Sequence, residues 1–383
     1  MRILLIAPVH REKEFLKQKD KSPFLAGQGQ QSWYEALRGL GHEVFVFRYS
    51  DSIIVPNIIR IYLKYFIVKL FPLFYAKFQR FQDKFYFFSL ENLFKNLKIY
   101  SLSKKMKPEL VIISGGVSCL YPLTIKKIKR YYKSKVLLMS GVNPKTSSTK
   151  AERKMVKSGI IDLVVENDRG YAILWKKIGA KKTLVLPISS VDPRIHKKLT
   201  LTKNETNKYA SDVCFVGSLT RERQEILKQA CTERIRSVQD DNYTLKIWGD
   251  IPLAEKLEDL LKSSYFGTAY GEKMMKIFNA SKIVLNFQPS DMSHGGNMRT
   301  FEIAGCGAFQ LCDKTDPEWF EDKKNIVLFK NLSDLKDKIK FYLEHKDIRE
   351  KISKEGFNNA HKNHTYKNHF NLLLKTISLR HET

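Results

Sequence analysis

The chain is poor in acid. Its 40 Asp and Glu stand against 67 Lys and Arg, a formal net charge of +27 over 383 residues, and such an imbalance asks for an anionic partner. Cysteine is scarce as well: Cys119, Cys214, Cys231, Cys306 and Cys312 form no C-x-x-C pair and are odd in number. That argues against a disulfide framework and a zinc site, and it fits a reducing cytosol. The opening MRILLIAPVH is too short for a membrane span and ends at no small-residue cleavage site, so it reads as a first buried strand. No H-E-x-x-H, Walker loop or Ser/His/Asp order appears, and no Asp-x-Asp at a strand end to hold a divalent metal. No G-x-G-x-x-G follows the first strand, which moves a dinucleotide oxidoreductase well down the ranking. There is no internal repeat and no low-complexity tract, which weakens solenoid readings.

What is present is a globular composition, 43% hydrophobic and 28% charged, with material for two domains. Short apolar runs alternate with longer segments of helical period, the pattern of parallel sheets covered by helices. Six strands are predicted for a first sheet, over 2–8, 43–48, 109–114, 135–140, 161–166 and 182–187. Five are predicted for a second, over 212–217, 243–248, 281–287, 308–312 and 325–329. Between them Lys197–Lys208 is polar, lacks an apolar period and reads as a linker, and 335–379 is helical by its apolar spacing. The fold class is α/β, two Rossmann-like domains facing a cleft. The domains expected are 1–196, carrying a basic aromatic insertion near 58–107, then 209–360, and a terminal helix over 361–383 that packs back on the first domain.

In open parallel sheets ligands sit beyond the carboxyl ends of strands. The stretch NFQPSDMSHGGNMRTFEIAGCGAFQLCD, Asn286–Asp313, reads as strand, glycine loop and helix start, with no Asp or Glu from Met292 to Phe301. Gly295 and Gly296 let backbone approach a ligand, and the free N–H groups of Asn297, Met298 and Arg299 would face an anion. His294 and Arg299 add positive charge, while Glu302 lies on the helical face of Met298, a carboxylate suited to sugar hydroxyls. After the first strand of the second sheet, Gly217-Ser218 opens a helix with Arg221 and Arg223 in its approach, and a guanidinium fork fits two phosphate oxygens. Arg221 reads equally as a solvated charge. Trp248-Gly249 and Tyr270 follow other strands of that sheet as candidate nucleoside contacts, although Trp248 also reads as core. In the first domain Gly27, Gly29 and Gln30 precede a helix expected over 32–40; with His10 and Asn143 they are candidates for the cleft and the acceptor, against a plain turn-capping reading.

On Arg299, Phe301, Glu302, Cys306 and Gly307 the chain resembles the GT-B nucleotide-sugar glycosyltransferases, in the CgeB-like branch of the group 1 family. The resemblance is clear from about Asp212 to Phe370 and weaker before it. It implies transfer of a sugar from a nucleotide-diphosphate donor to a glycan, lipid-linked or protein acceptor, retaining and metal-independent, with no cofactor beyond that substrate. It implies Arg223 at the diphosphate, Glu302 at the ribose and a catalytic set of Glu302, Arg223 and His294. The wider retaining group has two glutamates eight positions apart; the second matches Glu302 and the first falls on His294. A non-catalytic carbohydrate- or nucleotide-binding relative and a nucleotide-sugar epimerase therefore stand as alternatives.

Residues 60–107 hold 11 Lys or Arg against Asp83 and Glu91, and 62–100 hold 14 of the 41 Phe and Tyr. Basic aromatic helices lie on anionic membrane surfaces, which would make the protein peripheral on the inner face of a membrane. The competing reading is an internal aromatic core with solvated lysines. Nucleic acid is disfavoured, since no recognised module pattern appears.

Overall fold

The computed structural model describes residues 1–8, 29–49, 51, 53–54, 59, 66, 70, 88–236, 243–252 and 255–378. The chain divides into two compact units: Met1–Ile188 with Asp291–Ser293 and Phe370–Thr383, and Ser189–Ser290 with His294–His369. Both are built on parallel sheets.

In unit 1 the strands are β1 (Arg2–Ala7), β2 (Glu43–Arg48), β3 (Leu110–Ser114), β4 (Lys135–Met139), β5 (Leu163–Glu166) and β6 (Thr183–Val185), side by side in the order β2-β1-β3-β4-β5-β6. RILLIA and LVIIS are apolar throughout because helices cover both faces of such a sheet, and Ile3–Ala7 and Leu110–Ser114 are wholly buried. The helices between them are α1 (Gly29–Gly39), α2 (Leu90–Met106), α3 (Pro122–Tyr132), α4 (Lys150–Lys157) and α5 (Arg169–Ile178). Their ends follow local chemistry. Thr149 and Glu152 close a reciprocal capping box on α4, and Asp168 caps α5, which Gly179 ends at φ +115°. Glycine loop and helix are not separate at α1: Gly29 and Gln30 are its first two residues, so the helix starts ahead of the expected Ser32.

Unit 2 has α6 (Lys203–Tyr209), β7 (Ser211–Val216), α7 (Arg221–Arg236), β8 (Leu245–Trp248), α8 (Gly271–Ala280), β9 (Ser281–Asn286), α9 (Met298–Gly305), β10 (Gln310–Cys312), β11 (Val327–Leu328), α10 (Leu332–Glu344) and α11 (Lys346–Asn363). The last helix, α12, spans Tyr366–Ser378. Its sheet runs β11-β10-β9-β7-β8. From β7 the chain moves outward to β8, and from β9 it moves the other way to β10 and β11. The order therefore reverses between β7 and β9, which is where open α/β sheets leave a crevice at their carboxyl ends. The core beneath packs Phe215 on Phe287, rings 5.3 Å apart, with Val213, Ile247, Leu285 and Leu311 buried around them.

One expectation is corrected. The polar stretch read as linker contains α6, whose capping box joins Thr202 and Glu205. No residue of α6 is buried, so it has no apolar period to detect; its ends hold it instead. The Lys276 ammonium beside Glu205, 2.7 Å away, holds that carboxyl down at about 2.

Candidate active site

Arg223 lies across the reversal point. Its Nη1 donates to the Ser218 carbonyl at 3.1 Å, in the loop after β7, and its Nη2 to the Phe287 carbonyl at 2.8 Å, at the end of β9. Burial pushes its pKa down; Asp313 opposes that, and the neighbouring Arg299 charge adds to it. A guanidinium remains charged under such conditions, so two cations share this end of the sheet. The loop is built tightly on glycine. A Cβ at Gly249 would lie 1.6 Å from the Gly217 carbonyl oxygen, so the turns after β7 and β8 touch backbone to backbone. Ser218 is exposed at the rim, as are Arg221 and Glu222.

The second wall is the start of α9. Asn297 is its N-cap: its Oδ1 accepts from the Thr300 N–H at 3.2 Å, and its own N–H donates to Gln288 Oε1 at 2.7 Å. The N–H groups of Met298 and Arg299 make no hydrogen bond among the described residues. The uncommitted amides at this helix start are thus those of Met298 and Arg299, while Asn297 is committed to the cap. Gly295 and Gly296 are buried behind them, and a Cβ at Gly296 would press on Phe301 and Trp319 at 3.2 and 3.4 Å. His294 is exposed beside them.

Beneath this turn lies a polar lattice that the sequence reading passed over. Gln288 Nε2 donates to Thr300 Oγ1 at 2.9 Å and its N–H to Asp313 Oδ1 at 2.9 Å. Asn286 Nδ2 donates to Thr300 Oγ1 at 3.1 Å, and Asn297 Nδ2 to Asn286 Oδ1 at 2.9 Å. Buried amides bonded this fully fix the helix entry. The detectable signal was Asn286 and Gln288 two residues apart at a strand end, hence on one side of it.

Arg299 and Glu302 form the remaining piece. Arg299 Nε donates to the Val216 carbonyl at 2.9 Å and Nη1 pairs with Glu302 Oε2. Glu302 is 3% exposed. Its carboxylate is turned to Arg299 and not to open solvent, so the ribose contact expected of it is not presented in this conformation. Trp248 is also buried, packed on Phe266 with rings 5.6 Å apart; it is core and no platform for a base. Tyr270 N-caps α8, and its hydroxyl bonds Asp250.

Among the candidates in unit 1, Gly29 and Gln30 open α1, with Gln30 Nε2 reaching Ser114 Oγ at 3.4 Å. Asn143 caps a turn, its Oδ1 accepting from the Lys145 N–H at 2.9 Å, and its Nδ2 donates to Asp291 at 2.8 Å. His10 and Gly27 lie outside the described residues.

Two Rossmann-like units, each built on a parallel sheet, invite comparison with known folds. Anabaena HepE, solved with UDP and glucose, matches over 99% of this chain and 100% of its own, at a TM-score of 0.64 and 12% identity. A glycosyltransferase from Rickettsia africae matches with a TM-score of 0.65 at 12% identity, covering 99% of each chain. The chain has the GT-B fold. Residues 221–375 match the family described as glycosyl transferase-like, a stretch holding Arg223, Arg299 and Glu302. The spore protein CgeB of Bacillus subtilis (strain 168) is 24% identical over 217 residues, 52% of this chain and 62% of CgeB. The GT-B chain therefore spans less than two thirds of the length of that relative.

Proposed function

We propose that the protein is a glycosyltransferase that takes its sugar from a nucleotide-diphosphate donor bound by unit 2. The observation that carries this reading is Arg223 bridging the Ser218 and Phe287 carbonyls across the point where the strand order reverses. Such a bridge puts a half-buried, anchored guanidinium where a diphosphate would lie. The amides of Met298 and Arg299 and the Arg299 guanidinium complete the cradle. UDP-sugars are the first donors to test, since HepE was solved with UDP-glucose.

The chemistry then runs without a metal. As the bond from the anomeric carbon to phosphate breaks, negative charge grows on the diphosphate. Fixed donors aimed at it are worth about 3 kcal/mol each by analogy with oxyanion-hole groups. The acceptor hydroxyl bonds to the same face of the anomeric carbon and gives its proton to the departing phosphate oxygen, so configuration is retained and no separate base is required. Before the donor binds, Glu302 serves by pairing with Arg299 and keeping it at this end of the sheet.

The acceptor is proposed to be membrane-borne. On α2 the exposed residues Leu90, Leu93, Phe94 and Leu97 fall at helical spacing on one face, and the exposed Lys98, Lys104 and Lys105 follow along the same helix. An apolar stripe beside lysines suits an anionic bilayer surface. No helix among the described residues is long and apolar enough to cross a membrane.

The deciding experiment incubates the purified protein with UDP-, GDP-, ADP- and dTDP-sugars and follows release of nucleoside diphosphate and transfer to added acceptors. Turnover with at least one donor is expected. Binding without turnover would favour a non-catalytic relative, and a new sugar nucleotide formed without acceptor would favour an epimerase.

A further inference from the structure

The Asp192–His196 turn (DPRIH) belongs to unit 2 and packs against α9. Gly305 makes this possible: a Cβ there would sit 2.9 Å from His196 Cβ and 3.0 Å from a Val191 methyl. The turn is closed by the His196 N–H to the Asp192 carbonyl at 2.8 Å and by the Asp192 N–H to His196 Nδ1 at 2.9 Å. A backbone N–H can only donate, so Nδ1 carries no proton and the ring hydrogen is on Nε2. That Nε2 is fully buried and makes no hydrogen bond among the described residues. It faces Glu302 Oε1 at 3.9 Å, roughly 1 Å beyond bonding distance. The other carboxylate oxygen is held by Arg299.

We propose that His196 is a positioning residue for donor binding: its Nε2–H is the reserve donor for Glu302. When Arg299 shares its guanidinium with a diphosphate, the buried Glu302 carboxylate loses part of its compensation, and an uncompensated buried charge is costly. A small shift of Glu302 brings Oε1 onto the waiting Nε2–H. The carboxylate stays paired, no proton changes hands, and Arg299 is released toward the phosphate without α9 being disturbed. The inference rests on unit 2 being the donor site.

Two substitutions separate this role from simple packing. His196→Asn keeps an acceptor for the Asp192 N–H but removes the donor at the Nε2 position; His196→Gln keeps that donor and removes the acceptor. Nucleoside diphosphate affinity is measured by calorimetry with UDP, GDP, ADP and dTDP, alongside thermal denaturation. His196→Asn is expected to weaken binding about tenfold, the loss of one hydrogen bond to a charged group, while His196→Gln binds nearly as wild type. In wild-type protein the His196 Nε2 proton resonance should move downfield on adding the nucleotide, a signature that needs no variant to fold. Wild-type affinity in His196→Asn, with no movement of that resonance, overturns the inference and leaves the donor site standing. Wild-type protein that binds none of the four nucleotides removes the donor site, and this inference with it.

Discussion

Arg223 reaches from the helix after β7 to the Phe287 carbonyl at the end of β9, 2.8 Å away, and so ties together two strands that the chain visits far apart. Replacing it tests the donor site directly. In Arg223→Ala the Ser218 carbonyl loses this donor and the Phe287 carbonyl keeps only that from Asn297 Nδ2, costing about 1–3 kcal/mol of stability. The larger effect falls on the ligand: nucleoside diphosphate affinity should drop on the order of 100-fold by calorimetry. Arg223→Lys should recover little of it, because the three donors of an ammonium sit on one nitrogen and lack the planar fork that spans the two carbonyls and a phosphate. Unchanged affinity in both variants would sink the assignment.

The contact between Gly217 and Gly249 makes a stability prediction that is independent of function. A methyl group at Gly249 would overlap the Gly217 carbonyl oxygen, 1.6 Å away, and only backbone movement relieves it. Gly249→Ala should lower stability by about 3 kcal/mol or more, or prevent folding. Gly39, which ends α1, has no atom within 4 Å of such a methyl and no left-handed φ. Gly39→Ala should be neutral or stabilising by up to about 1 kcal/mol. Urea denaturation of the two variants decides both.

Glu166 gives a pH dependence. Burial raises its carboxyl to about 8 from 4.5, against bonds from Ser140, Trp175 Nε1 and the Gly141 and Asn167 amides that favour the charged form. The folded state therefore binds this proton more tightly than the unfolded chain. Its stabilising contribution is complete below about pH 4.5 and is lost as pH rises through about 8. The melting temperature of the wild type should fall across that window. Glu166→Gln has no proton to lose, so whatever its absolute stability, its curve should be flatter there. Parallel curves would place the titration elsewhere.

Much of the fold was legible because parallel strands buried on both faces announce themselves as apolar runs: ten of the eleven strands lie within their predicted stretches, and β7 starts one residue early, at Ser211. Their ends were less so: β10 starts at Gln310 where Ala308 was expected, since Ala308 and Phe309 are buried before strand pairing begins. The helix α6 was hidden because exposed capping boxes leave no hydrophobic period. At the site, Gly295 and Gly296 stand out in any reading of the chain. The direction of Glu302 does not, because whether a carboxylate three residues from an arginine faces it or a ligand depends on what covers both. Here Glu302 is buried, with Arg299 paired to one carboxylate oxygen and His196 Nε2 3.9 Å from the other. Gln288 escaped attention as a lone amide after a strand, and only the folded chain shows it holding Thr300, Asp313 and Asn297 at once.

That lattice predicts how rigidity and binding divide. Gln288→Ala removes the acceptor of the Asn297 N–H and the donor to Thr300 Oγ1 while leaving Arg223, Arg299 and the α9 amides intact. Stability should fall by about 2 kcal/mol, the cost of buried groups left unsatisfied. Nucleotide affinity should fall several-fold as the helix entry loosens, and added nucleotide should recover part of the lost melting temperature by mass action.

The stripe on α2 provides the test of the membrane-borne acceptor. Leu93 and Leu97 are 42% and 55% exposed, so Leu93→Ser with Leu97→Ser should leave the melting temperature within a degree or two, surface changes being nearly neutral. Wild-type protein should sediment with vesicles containing phosphatidylserine at low salt and be released as salt screens the lysines. The double variant should bind at least tenfold more weakly, because two buried leucines are worth several kcal/mol to an interfacial helix. Neutralising Lys69, Lys77 and Arg80, which lie outside the described residues, should weaken binding further if the basic stretch acts with the stripe. Vesicle binding that survives both changes would take the contact away from this stripe and basic stretch, and no binding by wild type would return the acceptor to a soluble glycan.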